Sequence, residues 1–256
     1  MRIATYNVNG INGRLPVLLE WLAATKPDIV SLQELKAPDD AFPEKAIRDA
    51  GYRAIWHGQS RWNGVAILSR GGEPVETRRG LPGDPDPSQS RYLEAAVDGL
   101  LVGALYLPNG NPRPGPKFDY KLRWMAAFAS HAQGLLDAGV PALLIGDYNV
   151  IPEDEDVYKP ERWRDDALFA PDVRDAYRDL VASGWLDALK HLYLDDPPYT
   201  FWKYWRGAFE RDAGMRIDHL LLSPTVAKRL KAGGVDRSAR ALEKTSDHAP
   251  AWIELS

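Results

Sequence analysis

"LLIGDYNV", residues 143–150, opens as an apolar run and closes on a carboxylate and an amide. Leu143, Leu144 and Ile145 read as a buried strand. The two-residue period of such a strand would aim Asp147 and Asn149 at one face. Burying both beside an apolar run is costly unless they share a partner, which makes this strand end a candidate site. Other apolar runs finish the same way. The run from Ile3 leads to Asn7 and Asn9, that from Ile29 to Gln33 and Glu34, that from Leu100 to Tyr106 and Asn109, and Ile217 precedes Asp218. An Asn in a turn commonly satisfies its own backbone, and a lone Glu can cap a loop, so the recurrence carries the argument rather than any one residue.

Working outward, apolar runs with β-branched character at 3–8, 28–32, 64–68, 92–97, 100–107, 142–145, 217–222 and 251–255 read as strands. Segments 15–24 and 121–138 carry the 3.6-residue spacing of half-buried helices, the second ending near Gly139. Strands follow one another directly over 64–107, with turns at Asn63-Gly64 and Gly99-Leu100. That succession predicts antiparallel hairpins in a layered, mixed α/β (α+β) fold rather than pure βαβ winding. The Pro- and Gly-rich pieces at 81–90 and 108–116 read as surface loops too short to link domains, so one domain over 1–256 is expected.

Hydrophobic residues make up 45% and charged residues 27% of the chain, a balance that excludes intrinsic disorder. No stretch approaches the roughly 20 apolar residues of a membrane helix, and the first residues lack an apolar signal region. A cytoplasmic monomer is the expectation. With no cysteine, disulfides, thiolate metal sites and a cysteine nucleophile are excluded, which leaves oxygen or imidazole ligands and favours a hard ion. The formal charge of −4 argues against a protein that coats polyanions. It does not exclude a nuclease, because four acidic residues gathered around a divalent cation would leave the rest of the chain neutral.

"TSDHAP", residues 245–250, is the sharpest local signal. Pro250 pushes Ala249 into extended geometry, so Asp247 and His248 stand at the entrance to the last strand and can enter one site. A lone His at a strand is commonly structural; its company changes the reading. In family order the chain carries "YNVNG", "LQELK", "NGVAILSR", "YLPNGN", "GDYNV", "RIDHLLLS" and "SDHAP". In these motifs, over 3–253, it resembles the exonuclease III type of apurinic/apyrimidinic endonucleases, within the superfamily that includes deoxyribonuclease I and the inositol polyphosphate phosphatases.

The resemblance implies a deoxyribonuclease I-like, four-layer α-β-β-α sandwich of two packed sheets flanked by helices, with its site at one edge of the sheets. It implies Mg²⁺, with Mn²⁺ as a substitute, held by Glu34 with Asn7 and Asp247. Asp147 takes the role of base or orienter for the attacking water, and Asn149 helps hold water and phosphate. His248 donates to a nonbridging phosphate oxygen, Asp218 fixes its tautomer, Tyr106 sets its hydroxyl against the phosphate, and Asn109 reaches phosphate or sugar.

Substrate choice falls to the walls. Segment 199–219 packs aromatic residues beside Arg206, Arg211 and Arg216. This suits either a core cluster with a solvated rim or a DNA-gripping loop. By resemblance, Phe201, Met215 and Ile217 form the pocket for a flipped-out abasic sugar; Trp205 with Arg206 is expected to wedge into the duplex gap. Lys203 and Trp205 depart from the family pattern. Arg61, Arg91, Arg113 and Lys117 are either phosphate contacts or ordinary surface charges. The leading expectation is a DNA repair nuclease cutting 5′ to abasic sites in double-stranded DNA, also acting at 3′ ends as exonuclease and 3′-phosphatase or phosphodiesterase. The alternatives are a phosphatase of small molecules, which soluble esters would inhibit as well as abasic DNA, and a DNA-binding relative without catalysis, which the intact site residues oppose.

Overall fold

In the computed structural model, which describes all 256 residues, the apolar runs pair into two six-stranded sheets. In chain order the strands are β1 (Arg2–Asn7), β2 (Ile29–Gln33), β3 (Arg53–His57), β4 (Val65–Ser69), β5 (Val75–Arg79), β6 (Tyr92–Val97), β7 (Leu100–Tyr106), β8 (Ala142–Asp147), β9 (Leu186–Asp187), β10 (Asp218–Leu222), β11 (Leu230–Val235) and β12 (Ala251–Leu255). One sheet runs β11-β12-β1-β2-β4-β3 and the other β5-β6-β7-β8-β10-β9. Each contains a single parallel pair, β1 with β2 and β7 with β8, among antiparallel neighbours. The chain passes from the first sheet to the second between β4 and β5 and returns between β10 and β11.

Three apolar interfaces make four layers. Ile3, Ile29, Ile67, Leu93, Val102, Leu143, Ile145 and Ile253 pack between the sheets. The outward residues Ala4, Tyr6, Val30 and Leu68 meet helix α1 (Ile11–Thr25) through Leu18, Trp21 and Leu22, and helix α2 (Glu44–Asp49) through Ile47. Tyr92, Leu105 and Leu144 meet helix α3 (Pro116–Asp137) through Trp124 and Phe128, and helix α4 (Pro171–Ala182) through Val173 and Tyr177. Strands covered on both faces must be apolar on both faces, which is why these runs do not alternate. No helix is long and apolar enough to cross a membrane.

One expectation needs correction, and several elements were not anticipated. The β6–β7 hairpin turns at Asp98-Gly99, one residue earlier than the sequence suggested; both have left-handed φ, 50° and 77°, which suits a two-residue loop. Strands β3, β5, β9 and β11 were not anticipated, nor was helix α4, although its Val173, Tyr177 and Leu180 recur at helical spacing behind Pro171. Strands β3, β5, β9 and β11 lie at or beside sheet edges, and β5 is exposed throughout.

The inner faces grade from apolar to polar toward one end. Ile3 gives way to Thr5 and Asn7, Ile29 to Ser31 and Gln33, Ile145 to Asp147, and Leu220 to Asp218. A buried relay, Thr5 to Gln33 (3.2 Å), Gln33 to Ser31 (2.7 Å) and Ser31 to the Ile145 carbonyl (3.3 Å), ties the sheets together beneath that end.

Candidate active site

Strand register brings the acids together. Asp147 stands opposite Tyr106 on β7 and opposite Asp218 on β10. The Asp218 Oδ2 lies 2.8 Å from Nδ1 of His248, whose Nε2 is 3.7 Å from Asp147 Oδ2. From the other sheet, the Asn7 amide nitrogen donates to Asp147 Oδ2 (2.9 Å) and to Glu34 Oε1 (3.0 Å). Tyr106 donates its hydroxyl to the same Glu34 oxygen (2.8 Å). Lys36 Nζ lies 2.7 Å from Glu34 Oε2 and donates to Asn9, which in turn donates to Asp247 (3.1 Å). His248 is held by its own N–H to Ser246 Oγ, whose hydroxyl donates to the Asn7 carbonyl, and by an edge contact with the Phe201 ring.

Burial and like charge set the proton affinities. Desolvation, with Asp218 and Glu34 nearby, pushes Asp147 up to about 7, although His248 and the Asn7 amide pull it back. Burial works against His248, but Asp218, Asp147 and Asp247 outweigh it and hold the imidazole protonated, at about 10. Glu34 goes the other way: burial raises it, and Lys36 and Asn7 more than reverse that. Burial and the neighbouring Glu34 and Asp147 charges keep Tyr106 a phenol.

A cleft of about 260 Å³ opens on this cluster, lined on its polar side by Glu34, Tyr106, Asn109, Asp147, Asn149, Asp247 and His248. Its apolar wall includes Phe201, Met215 and Ile217, joined through short bridges of Phe201 to Met215 and to His248. Asn7 and Asp218 stand behind this lining, bonded to residues that form it. Trp205 and Arg206 do not reach the cleft; both line the neighbouring cavity.

The local geometry revises three readings. β8 ends at Asp147, and Asn149 lies beyond it with a left-handed φ of 48°, so strand alternation does not set its direction. Its N–H donates to Asp147 Oδ1, its side-chain amide to the Leu107 carbonyl, and its oxygen accepts from Asn109. Asn7 turns nitrogen rather than oxygen to the carboxylates, so it braces them. Arg216 faces no solvent: it is wholly buried on Asp156 and Asp187 and is unavailable to a nucleic-acid backbone. Glu34 sits at φ 54°, an uncommon conformation for its type that orients its carboxylate beside Asn7.

Residues missed from the sequence include Asn111, Trp163, Asp166 and Leu168 in the lining, and Lys36 and Lys121 behind it; Lys203, noted only as a departure from the family pattern, also lines the cleft. Fully buried Lys121 donates to the Asn109 and Asn149 carbonyls (3.1 and 2.5 Å), fastening the two loops; burial lowers its pKa to about 7. It falls on the buried stripe of α3 between Phe118 and Trp124, a cation on an apolar face that could have flagged it.

Asp147, Asp218 and His248 bring donor atoms within 4.8 Å of one another, but the cationic His248 ring engages both aspartates, so the carboxylates open to an ion from the cleft are Glu34 and Asp247. The site is rich in hard oxygen donors, and Asp218 Oδ1 is buried without a hydrogen-bond partner. These observations fit a divalent ion.

The chain is 34% identical to exodeoxyribonuclease III of Haemophilus influenzae over the whole length of both. Its fold superposes with a TM-score of 0.96 on an AP endonuclease from Archaeoglobus fulgidus (35% identity, 100% and 99% of the two chains covered). The score is 0.95 for a 3′ phosphatase from Neisseria bound to a product DNA hairpin (39% identity, 100% and 99% covered). With the family profile matching residues 4–248, the strand-end acids and the SDHAP histidine fall within one catalytic lineage: the chain belongs to the endonuclease/exonuclease/phosphatase family.

Proposed function

We propose that this enzyme is a divalent-metal-dependent DNA repair nuclease. It hydrolyses the phosphodiester 5′ to an abasic site and works at 3′ ends as exonuclease and 3′-phosphatase through the same centre. The observation that carries the reading is the convergence of Glu34, Asp147 and the Asp218–His248 pair on one cleft with an apolar wall.

Asp147 takes the proton of the attacking water; a carboxylate near neutrality is suited to that task. His248, kept cationic by Asp218, donates to a nonbridging phosphate oxygen as negative charge builds there. Asp218 and Asp147 hold the imidazole in its cationic form, so His248 presents an N–H rather than a metal-binding lone pair at Nε2. Tyr106 and Asn109 hold the phosphate, and Asn149 holds Asn109 and caps Asp147. Glu34 and Asp247 hold the ion, braced by Asn7; when bound it neutralises phosphate charge and polarises the phosphoryl oxygen. Mg²⁺ suits few carboxylates plus a phosphate, with Mn²⁺ as a substitute. Phe201, Met215 and Ile217 receive the abasic sugar, while exposed Trp205 and Arg206 fill the gap left in the duplex. The chain acts as one domain and as a monomer in the cytoplasm. Incision of a duplex carrying a tetrahydrofuran abasic analogue tests this: Mg²⁺ should yield a 3′-hydroxyl product and EDTA should abolish it. No cut by folded, metal-replete enzyme refutes it.

A further inference from the structure

A second cavity, of about 310 Å³, abuts the catalytic cleft, and the two share Trp163, Asp166 and Lys203 as a common wall. Its far side includes Trp205, Arg162, Arg206 and Arg211. Arg2, Arg70, Arg174 and Arg178 each rest on a carboxylate, whereas none of Arg162, Lys203, Arg206 and Arg211 has a carboxylate oxygen within 4.0 Å. Lys203 instead lies 4.5 Å over the Trp163 ring and 5.7 Å from that of Trp205, which is 59% exposed. The one acid in this lining, Asp166, already accepts from the Asn111 side chain and the Leu168 N–H on one oxygen. Exposed aromatic faces among unpaired cations are the surface that stacks on bases and bonds to their edge acceptors.

The position gives this surface a task, granted the function proposed above. With the scissile phosphate at Asp147 and His248 and its sugar against Phe201, Met215 and Ile217, a base on that sugar needs room beside the apolar wall. The cleft alone, at about 260 Å³, falls short of the roughly 300–1,000 Å³ of most ligand sites. The partition toward the second cavity is partly the flexible Lys203 side chain, which an entering base can displace. We infer that the second cavity is a base chamber: it takes the nucleobase of a 3′-terminal nucleotide, so the enzyme removes base-bearing nucleotides as well as abasic residues. The reaction is hydrolysis and needs no further reactant. Water oxygen bonds to phosphorus as the P–O3′ bond breaks, the water proton passes to Asp147, and the departing O3′ takes a proton from solvent, releasing a 5′-mononucleotide.

An abasic sugar leaves the chamber empty, and that separates the two activities. In Arg162→Ala/Arg211→Ala, kcat/KM for releasing 3′-terminal nucleotides from a duplex should fall by about 10-fold or more, the scale of one lost charged contact. Incision at a tetrahydrofuran analogue should persist. Ala213→Phe, which narrows the same cavity, should act likewise, and circular dichroism checks its fold. As a second readout, deoxyadenosine 5′-monophosphate should inhibit incision more strongly than deoxyribose 5-phosphate, an advantage the double variant loses. Equal falls in both activities, no fall in either, or equal inhibition by the two compounds would overturn the chamber while incision by the parent enzyme still stood. Absence of incision in the parent would overturn the proposed function and the chamber together.

Discussion

Replacing Arg216 with methionine should unfold this protein at a markedly lower temperature. The guanidinium grips Asp156 with two bonds (2.7 and 3.1 Å) and Asp187 with a third (2.7 Å), and it and Asp156 are fully buried. Both aspartates are far away in sequence, so the guanidinium pins the loop after β8 and the entry to the helix after β9 to the start of β10. Methionine fills much of the volume but orphans two carboxylates. Removing one partner of a buried pair costs about 3–5 kcal/mol, and two orphans place the loss near the upper end. At about 2–4 °C per kcal/mol for a chain of this size, Tm should drop by roughly 10–20 °C. Thermal unfolding by circular dichroism at pH 7.5 measures it. The triple variant Arg216→Met/Asp156→Asn/Asp187→Asn should recover most of the loss, because neutral groups then replace the whole network. A single-variant drop below about 3 °C, or a triple variant no better than the single, would refute the claim that charge, rather than shape, makes this site costly to disturb.

Asp147→Asn should keep its affinity for abasic DNA while turnover falls by about 10²- to 10⁴-fold, as expected when a proton acceptor is lost; single-turnover kinetics beside a binding titration separate the two. His248→Ala should lower kcat by about 3 kcal/mol of transition-state stabilisation, roughly 10²-fold, with KM little changed. Stability should weaken in mild acid through His219, which burial and Arg216 depress from 6.5 to about 4. Between those values the unfolded chain binds the extra proton, so this contribution is intact above pH 6.5 and drains away as pH falls toward 4. The loss is about 2 kcal/mol at pH 5. Urea titrations of the parent and of His219→Gln at pH 7.5 and 5 should show a flatter pH dependence in the variant, and equal slopes would remove His219 as the cause.

Much of the site was legible because it sits where strands end. An apolar inner face that turns polar over its last residues leaves a pattern in the chain, and Asn7, Asp147 and Asp218 all follow it. Glu34 and Asn149 were found by the same rule although they lie one and two residues past their strands, where left-handed backbone sets their direction and periodicity is silent. Arg216 was misread because a buried arginine and a surface arginine look alike until the partners are known. Its partners lie 60 and 29 residues away. Trp205 and Arg206 are exposed, and only packing reveals that they belong to the cavity beside the cleft. Strand β5, exposed along its length, buries nothing that could leave a hydrophobic signal.

The same gradient that made the site readable explains how so many carboxylates can sit together in so buried a place. Glu34, Asp147, Asp218 and Asp247 are opposed at close range by the Lys36 ammonium and the His248 imidazolium. Four negative charges against two positive leave two uncompensated, which is the charge of one divalent cation. A carboxylate cluster of that imbalance in the middle of the sandwich would take up protons, as Asp147 already tends to with its value near 7. At the sheet edge, water and a hard ion can reach Glu34 and Asp247 from the cleft, while His248 and Asn7 hold Asp147 from behind. The inner faces therefore have to be apolar deep in the sandwich and acidic only at its rim: the depth keeps Asp147 and His248 fixed, and the rim keeps their charges affordable.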